Sequence, residues 1–94
     1  MSELTILVVK DDIIGLEPLK NILELASDNV ILASNGQEAL TKLETIHPDM
    51  ILSDLDMPVM NGKEFYNRVK EKKNLRNIPF IFFPVPDKTK KASR

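Results

Sequence analysis

Cysteine is absent from these 94 residues, which excludes both a disulfide framework and a thiolate metal site. Surplus charge is absent too. Thirteen Lys and Arg against fourteen Asp and Glu leave a formal net charge of −1, so no electrostatic case exists for a nucleic-acid binder. No apolar run approaches the roughly 20 residues needed to span a bilayer. The first such run, Leu4 to Val9, is preceded by Glu3 and followed by Lys10, unlike a signal peptide. Neither a nucleophile–base pair nor a cofactor-binding loop is present, so an enzyme acting on an external substrate is not expected. These absences lead to the expectation of a single cytoplasmic domain with no membrane association.

An ordinary hydrophobic content, 43%, argues for a folded core over most of the length. Leu4 to Val9 reads as a central strand, rich in β-branched and aliphatic residues. Leu16, Leu19, Ile22, Leu23 and Ala26 then recur at helical spacing, predicting an amphipathic helix over about residues 15–27. Pro18 fits it only in the first turn, where its missing N–H costs little. Asn29 to Ala33 is a second short strand. Asn35-Gly36 turns the chain into a second helix marked by Ala39, Leu40, Leu43 and Ile46, which stops before Pro48. Asp49 to Ser53 is a third strand, and a helix with Phe65, Tyr66 and Val69 on its apolar side follows Gly62. A fourth strand, Ile78 to Phe83, carries Pro79 near its start and is followed by Pro84. His47, beside Pro48 at a helix end, reads as a surface residue favoured by the helix C-terminus. The segment from Pro86 to Arg94 is polar and basic.

Strands alternating with helices predict an α/β fold, a doubly wound parallel sheet with right-handed crossovers. In such sheets ligands bind beyond the carboxyl ends of the strands, where strand order reverses. Two apolar strands deliver acids to that edge: Asp11-Asp12 after the first, Asp54 at the end of the third. Carboxylates brought together repel unless a cation or proton intervenes, which suggests a metal site. An aspartate held there can also act as a nucleophile toward phosphorus.

Five segments in order carry a resemblance: Ile6-Leu7-Val8-Val9 followed by acids, Ala33 to Leu40, Pro48 to Asp54, Asp56-Met57-Pro58-Val59-Met60-Asn61-Gly62, and Ile78-Pro79-Phe80-Ile81. Together they resemble the receiver domain of two-component response regulators, of the chemotaxis-regulator kind. The resemblance implies a flavodoxin-like fold and a phosphorelay function. Asp54 matches the family's phosphoacceptor, receiving phosphate from a histidine kinase or phosphotransfer protein. Asp11 and Asp54 match its magnesium (Mg2+) carboxylates, and Asp56 the residue whose backbone carbonyl reaches the metal.

Three departures qualify the match. Lys10 stands where most receivers carry the first acid of the pair, and a cation there weakens magnesium binding or takes up part of the charge deficit itself. Pro84 follows the fourth strand where the family has Thr or Ser, and it has neither hydroxyl nor N–H to offer a phosphoryl group. The family's fifth strand, with its phosphate-binding lysine and switch aromatic, has no counterpart. The domain is therefore expected over residues 1–85, truncated after the fourth strand, with residues 86–94 as a basic polar tail. An open fourth strand leads to the expectation of a homodimer through the exposed sheet edge or face. The alternative to a phosphoacceptor is a degenerate receiver that works as a phosphorylation-independent protein-interaction module.

Overall fold

The computed structural model describes residues 4–11, 21, 24, 25 and 29–82. Besides the helical residues Asn21, Glu24 and Leu25, the elements with described bounds are, in order, β1 (Thr5–Val9), β2 (Asn29–Ala33), α1 (Gly36–Lys42), β3 (Met50–Ser53), α2 (Gly62–Lys70) and β4 (Phe80–Phe82). All pairings are parallel and the sheet order is β2-β1-β3-β4. Among the described residues the chain runs from β1 outward to β2, returns to the other side of β1 as β3, and continues to β4 beyond β3. Strand order thus reverses between β1 and β3, and that is the switch point of the expected doubly wound fold.

β1 is central because both of its faces are apolar. Leu7 and Val9 join a core with Ile51, Ala39, Leu43, Phe65, Val69, Leu75 and Ile78 on the side of α1 and α2. Ile6 and Val8 point the other way, packing with Val30, Leu32, Met50 and Leu52. A strand buried on both faces reads as a continuous apolar run, as this one does.

Both helices start at an Asn whose side chain accepts from a backbone N–H three residues on: Asn35 from Glu38, and Asn61 from Glu64. The Glu38 carboxylate reaches back past the cap to accept from the Ser34 N–H and hydroxyl, a variation on the capping box one residue before the N-cap. α2 buries Phe65 and Val69 and leaves Tyr66 half-buried. Phe80 meets Phe65 and Tyr66 at ring-centre distances of 5.4 and 5.0 Å, and these contacts dock β4 against α2.

The element ends differ from the sequence expectation in instructive ways. α1 stops at Lys42 and does not run on toward Ile46. Its end tightens because the Glu44 and Thr45 N–H groups bond three residues back, to Thr41 and Lys42, as in a 3₁₀ turn. β4 begins at Phe80, two residues later than expected. The Ile78 N–H is used by the Leu75 carbonyl in the preceding turn, and Pro79 has no N–H to give a ladder. β1 and β3 each start one residue late, since Asp49 closes their lower ends: its carboxylate accepts from the Thr5 N–H at 2.8 Å. His47 is exposed as expected, but its Nε2 meets the Asn74 carbonyl at 2.9 Å and so links the turns before β3 and β4.

The helix expected over residues 15–27 falls mostly outside the described residues, including all five of its apolar positions. Asn21, Glu24 and Leu25 are helical. Asp12, Phe83, Pro84 and the tail over 86–94 also lie outside.

Candidate functional site

The carboxyl ends of β1 and β3 are adjacent, with Val9 in register with Ser53. The next residues extend the ladders in opposite directions. The Lys10 N–H donates to Ala33 of β2, and the Asp54 N–H donates to Val9 of β1, at 3.0 and 2.9 Å. Lys10 is therefore tied by its backbone to one side of the switch point and free to send its side chain to the other. It does so: Lys10 Nζ lies 3.5 Å from Asp54 Oδ2.

Asp54 is 7% exposed. Its second oxygen, Oδ1, receives a long contact from the Asp56 N–H at 3.4 Å. Ser53, fully buried, turns its hydroxyl to the Asp54 carbonyl at 2.9 Å. The carboxylate thus has one oxygen on an ammonium and the other on a weak amide donor, and its two oxygens have further acceptor capacity.

The loop after Asp54 is held close. The Gly62 N–H donates to the Leu55 carbonyl at 2.8 Å, and the Met60 carbonyl accepts from the Gly36 N–H at 3.3 Å. Within this loop the Met60 N–H bonds the Pro58 carbonyl at 2.7 Å, around Val59 at φ 69°. A two-residue hydrogen bond about a positive φ is the strained form of γ-turn. Met57 and Met60 point into the core, while Val59 is 78% exposed.

A carboxylate thus stands at the carboxyl end of β3 beside the switch point, with a cation from the end of β1 on it. Residues 6–94 match the model of the response regulator receiver domain. The chain belongs to the response regulator receiver domain family. This receiver domain is 30% identical over 77 residues to the polar-differentiation response regulator DivK of Brucella ovis, a match covering 82% of the chain and 63% of DivK. Its fold superposes on the chemotaxis response regulator CheY4 of Vibrio cholerae with a TM-score of 0.81 at 29% identity, covering 98% of the chain and 79% of CheY4. It also superposes on the receiver domain of a sensor histidine kinase from Pseudomonas aeruginosa PAO1, which has a magnesium ion coordinated in its active-site cleft. The TM-score there is 0.78 at 26% identity, covering 86% of the chain and 66% of that domain. The receiver domain spans 38%, 24% and 63% of the length of three curated relatives.

Of the expected site residues, the structure brings Asp54 and Lys10 into contact. Asp11 and Asp56 are both exposed, one residue past the Lys10 contact and two past Asp54. Among the described residues no group of three or more His, Cys, Asp or Glu side chains converges as a metal cage. Magnesium does not require one. It binds through one or two carboxylates and keeps several waters, so Asp11, Asp54 and the Asp56 carbonyl fit it in kind, as hard oxygen donors. What the receiver domain adds is a resident positive charge on one of those donors. The strained turn at Val59 has no sequence signal, because Val is a residue that resists a positive φ.

Proposed function

We propose that Asp54 is the phosphoacceptor of this two-component receiver, receiving the phosphoryl group from a histidine kinase or phosphotransfer protein. The observation that carries this reading is the placement of Asp54: a nearly buried carboxylate at the switch point, with one oxygen on Lys10 and the other receiving a long contact from the Asp56 N–H. In the transfer, the P–N bond of a phosphohistidine breaks and a P–O bond to an Asp54 carboxylate oxygen forms. The electron pair of the broken bond stays on the imidazole nitrogen. Such a loose transfer depends on positioning and charge stabilisation more than on covalent chemistry by the protein. The β1–β3 ladder and the loop anchored at Gly62 hold Asp54 for it.

Asp11, Asp54 and the carbonyl of Asp56 are the residues we assign to magnesium. When bound, the ion would neutralise charge on the phosphoryl oxygens. Its affinity is set low by Lys10, since two cations compete for one carboxylate. The chain itself is read as a non-enzymatic acceptor, with its body over residues 1–85 and a tail over 86–94. Among the described residues no helix is long and apolar enough to cross a membrane, and we assign the cytoplasm as its compartment. A homodimer through β4 completes the proposal.

The Lys10–Asp54 contact also favours a second reading, a degenerate receiver whose carboxylate is permanently neutralised and which serves as an interaction module. One experiment separates the two. The chain and its Asp54→Asn variant are incubated with phosphoramidate and magnesium, and intact mass is measured. Mass gain by one phosphoryl group in the wild type alone supports the acceptor. No gain in either favours the interaction module.

A further inference from the structure

Lys10 is the cation that the structure places on Asp54, and three features of the contact point to more than a static ion pair. The separation is 3.5 Å, with the Lys10 side chain 26% exposed and that of Asp54 10% exposed. That is close enough for strong attraction in a partly desolvated site, yet longer than a tight charge-assisted hydrogen bond. The Lys10 backbone is fixed by its bond to Ala33, while its ammonium is a point charge on a flexible four-carbon stem. The head can move by an ångström or two without disturbing the sheet. Finally, Lys10 meets Oδ2, whereas the Asp56 amide meets Oδ1, so the two oxygens are already distinguished.

Phosphorylation would add about 1.5 to 2 negative charges at this spot. The new charge lies on phosphoryl oxygens bonded to the group that Lys10 already touches. A flexible ammonium in that position follows the charge.

We propose that Lys10 is the phosphoryl-binding cation of this site. It neutralises the Asp54 carboxylate at rest, passes to the phosphoryl oxygens when the acyl phosphate forms, and competes with a divalent ion for the same carboxylate. This rests on the reading of Asp54 as phosphoacceptor and deepens it. One consequence is a transfer less dependent on magnesium than an all-acidic site would show. A second is that removing the charge does two opposite things: it slows transfer in the absence of metal and tightens metal binding.

The test uses the full chain and the variants Lys10→Gln and Lys10→Asp, all checked for cooperative unfolding. Phosphoramidate labelling is followed by intact mass with magnesium and with chelator. Divalent-ion binding to the unlabelled proteins is measured separately, by the electron paramagnetic resonance of Mn2+. In chelator, Lys10→Gln should label about 10-fold or more slowly than wild type. Mn2+ should bind Lys10→Asp about 10-fold or more tightly than wild type, with Lys10→Gln between them. Lys10→Gln labelling at the wild-type rate in chelator would overturn the proposal, as would equal Mn2+ affinity across the three proteins. Wild type that takes no label under any condition would overturn the phosphoacceptor reading itself, a different result from labelling that ignores Lys10.

Discussion

Gly62 lies directly against the backbone of Asp54. A β-carbon built on Gly62 would stand 2.1 Å from the Asp54 carbonyl oxygen and 2.8 Å from the Leu55 Cα. Both neighbours are backbone atoms, so neither can swing aside. The close approach lets the Gly62 N–H reach the Leu55 carbonyl and seats the start of α2 under the end of β3. Gly62→Ala should therefore destabilise the domain by about 3 kcal/mol or more and move the Asp54 backbone. Urea unfolding and the amide chemical shift of Asp54 would check both. Gly36→Ala makes the comparison sharp, because a β-carbon there meets Phe65 Cβ at 2.9 Å but otherwise the flexible Met60 side chain. Its cost should be smaller, and an equal or larger one would contradict this account.

The turn at Val59 makes the opposite prediction. A β-branched residue at φ 69° holds strain of about 1–3 kcal/mol. Val59 is 78% exposed, so truncating it forfeits little burial. Glycine relieves the strain at the cost of greater freedom in the unfolded chain, leaving Val59→Gly more stable by about 1 kcal/mol. A thermal melt that moves down, not up, would count against the γ-turn.

These two positions show what was legible in the chain and what was not. Asn61-Gly62 after a strand and loop marks a helix start, and Gly62 is there for close packing, a role glycine advertises. Val59 advertises nothing, since its conformation is imposed by the bond from Met60 to Pro58 and by the anchoring of Met60 to Gly36. The near-continuous apolar runs of β1 and β3 were enough to place both strands and the carboxyl edge where Asp54 lies. The contact of Lys10 with Asp54 needed the register as well. Val9 opposite Ser53 is what makes the next two residues neighbours, and a slip of one residue would turn Lys10 away. The late start of β4 escaped because Ile78 has the composition of a strand residue but spends its N–H on the Leu75 carbonyl.

Glu38 gives a pH-dependent prediction. Its carboxyl is held below the usual value of 4.5 by the Ser34 hydroxyl first, then by the Ser34 N–H and by Lys42. A depressed value in the folded state adds stability that is present above the unfolded value and is lost as pH falls through the folded one. The Glu38 side chain is 41% exposed, and solvent screening keeps the contribution under about 1 kcal/mol. Glu38→Gln should lower stability slightly at neutral pH and remove that part of the acid dependence below 4.5. Parallel stability–pH curves for the two proteins in that range would refute it.

The last prediction concerns assembly at β4. Among the described residues β4 pairs only with β3, and Ile81 on its outward-facing side is 48% exposed. Phe80 and Phe82 are half-buried against α2, Phe82 meeting Tyr66 at a ring-centre distance of 5.9 Å. An edge strand presents backbone donors and acceptors that template another strand. A two-fold axis at such an edge would set β4 antiparallel to its copy, so the contact is self-complementary and closes as a dimer. Pro79 removes a donor at the start of the edge, which limits the pairing to the short stretch centred on Ile81 and shifts weight to side-chain packing. Ile81→Lys would then place a charge against its own symmetry mate in the centre of the contact. Sedimentation velocity over a wide concentration range should show the wild type associating and Ile81→Lys remaining monomeric, with unchanged unfolding of the single domain. A wild type that stays a compact monomer throughout would sink the β4 interface.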